Sequence, residues 1–129
     1  MRPDGQRQTV FSSFKNAARG LGAAFIEERN LPFDCLFALV PVVLGFIFRI
    51  SLPEWLAIIV CIGLVVGMEL MNTALESIVD LASPDMHHLA GRAKDCAAAA
   101  CLVSSISALI VGIVIFAPRI LQVLFSSMF

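Results

Sequence analysis

Charge is scarce in this chain. Only 15% of its 129 residues are Asp, Glu, Lys or Arg, where a soluble domain carries about 25%. That scarcity, with 59% hydrophobic residues and a mean hydropathy of +0.90, points to a bilayer rather than a large soluble core. Basic residues are too few for a nucleic-acid binder. Paired cysteine spacing is missing too. Cys35, Cys61, Cys96 and Cys101 all sit in apolar runs, and none forms a C-x-x-C or zinc pattern. They read as small core residues in a reducing or lipid environment. The first 30 residues hold no apolar h-region, so no cleavable signal peptide is expected. There is no G-x-x-x-x-G-K-[ST], no G-x-G-x-x-G, no D-F-G and no H-E-x-x-H. If the chain transfers phosphate, it does so without a P-loop or a protein-kinase scaffold. No long repeat or low-complexity segment appears.

What is present is helical periodicity. Over residues 9–27, Val10, Phe14, Ala17, Leu21 and Phe25 recur at helical spacing, while Ser12, Lys15, Asn16 and Arg19 take the other face. This predicts an amphipathic helix lying in the membrane interface. Three apolar stretches follow, at 31–49, 54–82 and 92–118. A spanning helix needs about 20 mostly apolar residues. The third stretch carries no charge from Cys96 to Pro118, and the second carries acids only toward one end. Arg49 to Pro53 is a tight link, and Ser83-Pro84 ends the second span. The next segment, with Asp85, His87, His88, Arg92, Lys94 and Asp95, reads as a short polar loop. The expected architecture is one all-α domain over 1–129, an interfacial helix within 1–30 and three transmembrane helices.

Five of the nine Lys and Arg lie in the first 29 residues, and Arg92 and Lys94 flank the third span. Positive residues mark the cytoplasmic side. The N-terminus and the 82–95 segment are therefore expected there. Small residues mark packing faces: Gly63 and Gly67 on the second span, and Ala100, Ser104, Ala108 and Gly112 on the third.

The chemistry concentrates on the second span. Glu69, Asn72, Glu76 and Asp80 fall at i, i+3, i+7 and i+11, so they share one helix face. Acids in a membrane helix are costly to bury and face a bundle interior or a cavity. Three on one stripe repel unless a cation sits among them, and a hard ion such as Mg²⁺ takes carboxylate and phosphate oxygens. Asp80 alone fits a solvated helix end. Glu69 does not, because it lies about three turns below Asp80. Lys94 and Asp95, and Glu27 and Glu28, approach the same membrane face.

The block Glu69-Leu-Met-Asn72-Thr-Ala-Leu-Glu76-Ser-Ile-Val-Asp80, with His87 and Gly91-Arg92-Ala93-Lys94-Asp95, resembles the prokaryotic diacylglycerol kinase and undecaprenol kinase family. Phe14-Lys15, Arg19-Gly20-Leu21, Ala24-Phe25 and Glu28 match upstream, so the likeness runs from residue 11 to about 118. It implies a homotrimer in the bacterial cytoplasmic membrane, with ATP as co-substrate and active sites shared between subunits on the cytoplasmic face. By position, Glu69 resembles the catalytic base at the lipid hydroxyl. Glu28 and Glu76 resemble ligands of Mg²⁺ on ATP. Asp85, Met86, His87, Lys94 and Asp95 resemble ATP-contacting positions, and Asn72 and Asp80 supporting polar ones.

The chain departs from the undecaprenol branch after Asn30, with Leu31-Pro32-Phe33-Asp34, while the 91–95 block is closer to the diacylglycerol branch. The implied reaction is phosphorylation of diacylglycerol, with undecaprenol as the alternative. Phe33 and Trp55 either line a lipid entrance or anchor the chain at the interface. Two other classes place acids in membrane helices. A proton- or cation-coupled transporter would not need Lys94-Asp95. A non-catalytic interaction subunit would tolerate Glu69→Gln.

Overall fold

The computed structural model describes residues 9–28, 30–83 and 87–126. Four helices follow one another: α1 (Val10–Glu27), α2 (Asn30–Ile47), α3 (Leu52–Ala82) and α4 (His88–Ser126). The last three are long and apolar enough to cross a membrane. This is the expected all-helical class: an amphipathic helix followed by three spans.

Local chemistry sets the helix ends. Thr9 caps α1, its hydroxyl accepting from the Ser12 N–H at 3.3 Å while Ser12 Oγ donates back to the Thr9 carbonyl at 2.8 Å. At the start of α3, Glu54 accepts from both the N–H and the hydroxyl of Ser51 at 2.8 Å. That is the reciprocal half of a capping box, with Pro53 inside the first turn. Arg49 closes the α2–α3 link at φ 49°, the left-handed region. Its turn is tied by the Ile50 N–H donating to the Gly45 carbonyl at 3.1 Å.

Two sequence expectations shift. α4 begins at His88, four residues before the expected start of the third span at 92, and so takes in part of the polar segment read as loop. His87 starts it: its carbonyl accepts from Ala90 and Gly91, and its Nδ1 accepts from the Leu89 N–H at 3.2 Å. A helix already nucleated by a cap needs no membrane around its first turns. At the other end α4 runs through Pro118 to Ser126 rather than stopping at 118. The Arg119 guanidinium donates to the Ile115 carbonyl and pairs with Glu54 at 2.9 Å, so the turn around Pro118 keeps partners.

α3 and α4 pack along much of their length, α2 lies against α3, and α1 touches α2 and α3 only lightly. The core gathers where the α2–α3 link meets α4. Ile50, Ile58, Ile115 and Phe116 are buried there, with Phe48 and Trp55 against them. At about 1.5 Å per residue, Glu69 lies about 26 Å along α3 from Leu52, and Asp80 about 42 Å. The hydrocarbon core is about 30 Å thick. The acids therefore occupy the end of α3 that leaves the bilayer, opposite the core. Most large aliphatic side chains stay exposed, as a lipid-facing surface requires. A Cβ at Gly63, Gly67 or Gly112 would meet nothing within 4 Å, so these positions of the small-residue stripes are not closed within one chain.

Gly45 is a position where only glycine fits. A Cβ there would lie 2.8 Å from two atoms of the Trp55 ring, which also stacks on Phe46 with centroids 4.9 Å apart. Gly45→Val is expected to cost about 1–3 kcal/mol by overpacking. Thermal unfolding in detergent, read against the wild type, checks it.

Candidate functional site

The acid stripe on α3 survives as geometry. Asn72 Nδ2 donates to Glu76 Oε1 at 2.9 Å, and Thr73 Oγ1 donates to the Glu69 carbonyl at 3.0 Å. One turn further out, Asp80 forms an ion pair with Lys94, which joins α3 to the first turns of α4. The pair is partly exposed, so its contribution to stability is modest. Its value lies in placement: it holds the Lys94 ammonium close enough to interact with Glu76 as well.

Around Glu69 three more carboxylates lie within electrostatic reach: Asp34 from α2, Glu28 at the end of α1, and Glu76. Four acids from three helices thus meet at one end of the bundle. Glu28 reaches the cluster because its N–H closes the last turn of α1 on the Ala24 carbonyl at 2.9 Å, which fixes where the chain turns into α2. The Cys101 thiol of α4 lies beside Glu69 and is buried. It backs the carboxylate with a soft, weak donor rather than a charge.

Asn72 is only half satisfied. Its amide nitrogen holds Glu76, but Oδ1 is buried without a partner. A buried acceptor of this kind costs about 1–3 kcal/mol unless something donates to it or coordinates it. Together with the carboxylates it forms an all-oxygen donor set suited to a hard divalent cation. Among the described residues, no three His, Cys, Asp or Glu side chains are grouped closely enough to hold a metal ion by themselves.

A cavity of about 610 Å³ lies between α2, α3 and α4, and of the acid cluster only Asp34 lines it. Asp34 stands at one end. Pro41, Ile62, Val66, Ala108 and Phe116 line its length.

The structure thus brings together Glu28, Glu69, Asn72, Glu76, Asp80 and Lys94. His87 and Asp95 sit exposed at the start of α4, on the same end. Phe33 is exposed on the first turn of α2, beside Glu28 in sequence. Trp55 is not among them. It packs on Gly45 and Phe46, about 21 Å along α3 from Glu69. Asp85 and Met86 fall outside the described residues. Sequence reasoning missed Asp34 and Cys101. Asp34 had left a signal, as the lone charge of an otherwise uncharged span. Cys101 left none.

A three-span helical chain with clustered carboxylates and a lysine at one end, opening into an apolar cavity, is a membrane protein whose chemistry belongs to one membrane face. The model of the prokaryotic diacylglycerol kinase family matches residues 15–116. An undecaprenol kinase of Bacillus subtilis is 39% identical over 110 residues, 85% of this chain and 89% of that protein. A diacylglycerol kinase of Synechocystis is 34% identical over 113 residues, 87% of this chain and 65% of that protein. One from Haemophilus influenzae is 34% identical over 105 residues, 81% of this chain and 86% of that protein. The chain belongs to the prokaryotic diacylglycerol kinase family, and it is a lipid kinase of the membrane.

The donor set makes a prediction that does not depend on turnover. Asn72→Asp would place a further carboxylate within hydrogen-bond distance of Glu76. The variant is expected to melt below the wild type in chelator and to regain stability as Mg²⁺ is added. An equal melting temperature with and without the cation would count against the cluster as a cation site.

Proposed function

We propose that the chain transfers the terminal phosphoryl group of ATP to the hydroxyl of a membrane lipid, with Mg²⁺ as cofactor. The observation that carries this reading is the meeting of Glu28, Asp34, Glu69 and Glu76 beside Lys94, where an apolar cavity opens. Phosphoryl transfer needs positioning and charge neutralisation more than covalent help.

The residues divide the work by depth. Glu28 and Glu76 would hold the magnesium ion, Asn72 steadying Glu76 through the 2.9 Å hydrogen bond. Bound with ATP, the ion would neutralise and orient phosphate oxygens. Lys94, fixed by Asp80, adds a positive charge where negative charge develops. His87 and Asp95, with Asp85 and Met86, would contact the nucleotide at the exposed end. Glu69 sits deepest on the stripe, one turn of α3 from Val65 and Val66 of the cavity wall. There it would accept the proton of the lipid hydroxyl as that oxygen attacks phosphorus and ADP leaves. Phe33, exposed on the first turn of α2, would flank the lipid's approach.

Assembly as a homotrimer with shared sites completes the reading. Gly63 and Gly67 leave room for a neighbouring helix to approach. The cluster, only half-buried in one chain, would be closed by a neighbour in a ring. The basic N-terminal segment and Arg92 and Lys94 support a site on the cytoplasmic side of a bacterial inner membrane.

Diacylglycerol is the first lipid in this reading, supported by the Gly91–Asp95 block. One observation favours undecaprenol: the undecaprenol kinase shares 39% identity, whereas the two diacylglycerol kinases above share 34%. Purified protein in mixed micelles, given ATP and Mg²⁺ with each lipid in parallel, is expected to phosphorylate one of them. Glu69→Gln should reduce that transfer by about 10²-fold or more and leave nucleotide binding in place. Undiminished transfer by the variant would overturn the role of Glu69. Absence of transfer to either lipid from a folded protein would overturn the reading.

A further inference from the structure

α4 does not stop where the other helices do. The core at the α2–α3 link and the Arg119–Glu54 ion pair, at 2.9 Å, mark the end of the bundle remote from the acids. Beyond Arg119 the helix continues for seven residues to Ser126, about 10 Å further. These turns also lie past residue 116, where the match to the family model ends.

Their two faces differ. At 100° per residue, Arg119, Gln122 and Ser126 share one side with Val123, while Ile120, Leu121, Leu124 and Phe125 share the other. The Arg119–Glu54 pair fixes the rotation, turning the polar side toward the start of α3. The apolar side prolongs a single row along α4: Val103, Ile106, Ile110, Ile113, Val114, then Leu121, Leu124 and Phe125. All of these are exposed, from 48% at Ile106 to 68% at Val114. Ser107 falls at its edge, with its hydroxyl donating back to the Val103 carbonyl at 2.8 Å. The small residues that permit close helix approach, Ala100, Ser104, Ala108 and Gly112, lie on the opposite face of α4. Large aliphatic side chains on one face and small ones on the other separate a surface for lipid from a surface for helices.

We propose that the two turns of α4 after Pro118 are a membrane anchor. Ile120, Leu121, Leu124 and Phe125 lie in the lipid of the leaflet remote from the acid cluster, and Arg119, Gln122 and Ser126 face its headgroups. The anchor lengthens the lipid-matched stretch of α4 to the 30 residues between Cys96 and Phe125, about 45 Å. A stretch longer than the hydrocarbon core is met by tilt or by a thicker bilayer. The bilayer thickness at which the protein is most stable is therefore set in part by this segment.

Two measurements on the full chain test this. In vesicles containing a phosphatidylcholine with a photoactivatable diazirine on its acyl chain, lipid adducts are expected on residues 120–125. Chain-to-chain adducts there instead of lipid adducts would make the segment a contact between copies and overturn the proposal. The second uses vesicles of increasing acyl length and compares the wild type with the triple variant Leu121→Gln, Leu124→Gln, Phe125→Gln. The melting temperature of the variant should peak at a shorter acyl length, with the oligomer mass unchanged. The same optimum for both chains would overturn the proposal. So would loss of oligomer mass without a shifted optimum. Neither readout depends on phosphotransfer.

Discussion

Negative charge gathered at the edge of an apolar bundle is the constraint on which the rest of the structure depends. Glu28, Asp34 and Glu76 each lie within electrostatic reach of Glu69, and Lys94 is brought close to Glu76 by its pair with Asp80. Carboxylates so close, half removed from water, repel one another. The arrangement is sustained by the helices that carry them. The far end of the molecule supplies the rigidity. Its buried Ile50, Ile58, Ile115 and Phe116, and the Glu54–Arg119 pair, clamp α3 to α4 about 16 Å or more along α3 from Glu69.

This separation of duties follows from the bilayer. In lipid, backbone groups must be satisfied within each helix, so spans cannot be interrupted to build a pocket. A reactive site can then be placed where helices leave the hydrocarbon region and side chains regain access to water. α3 and α4 are both longer than a bilayer requires, and the surplus at one end carries the polar chemistry. At the opposite end the surplus of α4 is apolar on one side, which makes it a surface for lipid rather than for a reaction.

The single chain leaves much of its surface unpaired. Aliphatic side chains face outward along α2, α3 and α4, and glycines stand with open space beside them. Large residues on such a surface suit lipid and small ones suit another helix. The distribution on α4 separates the two cleanly, because its small-residue stripe and its aliphatic row lie on opposite faces.

The sequence by itself determined the membrane class, the helix order and the acid stripe of α3. Apolar length and the 3.6-residue period are local properties that tertiary contacts do not alter. It also carried the block from Glu69 to Asp95 that identifies the family. It did not determine that α4 begins as early as His88 or that it passes Pro118, because those ends depend on the His87 cap and the Arg119–Glu54 pair. It left the place of Trp55 open, and packing against Gly45 put that ring at the end opposite the acids. Above all it could not bring Asp34 and Cys101 to Glu69. They lie 35 residues before it and 32 after it in the chain, and only the packing of three helices decides which side chains meet across such separations.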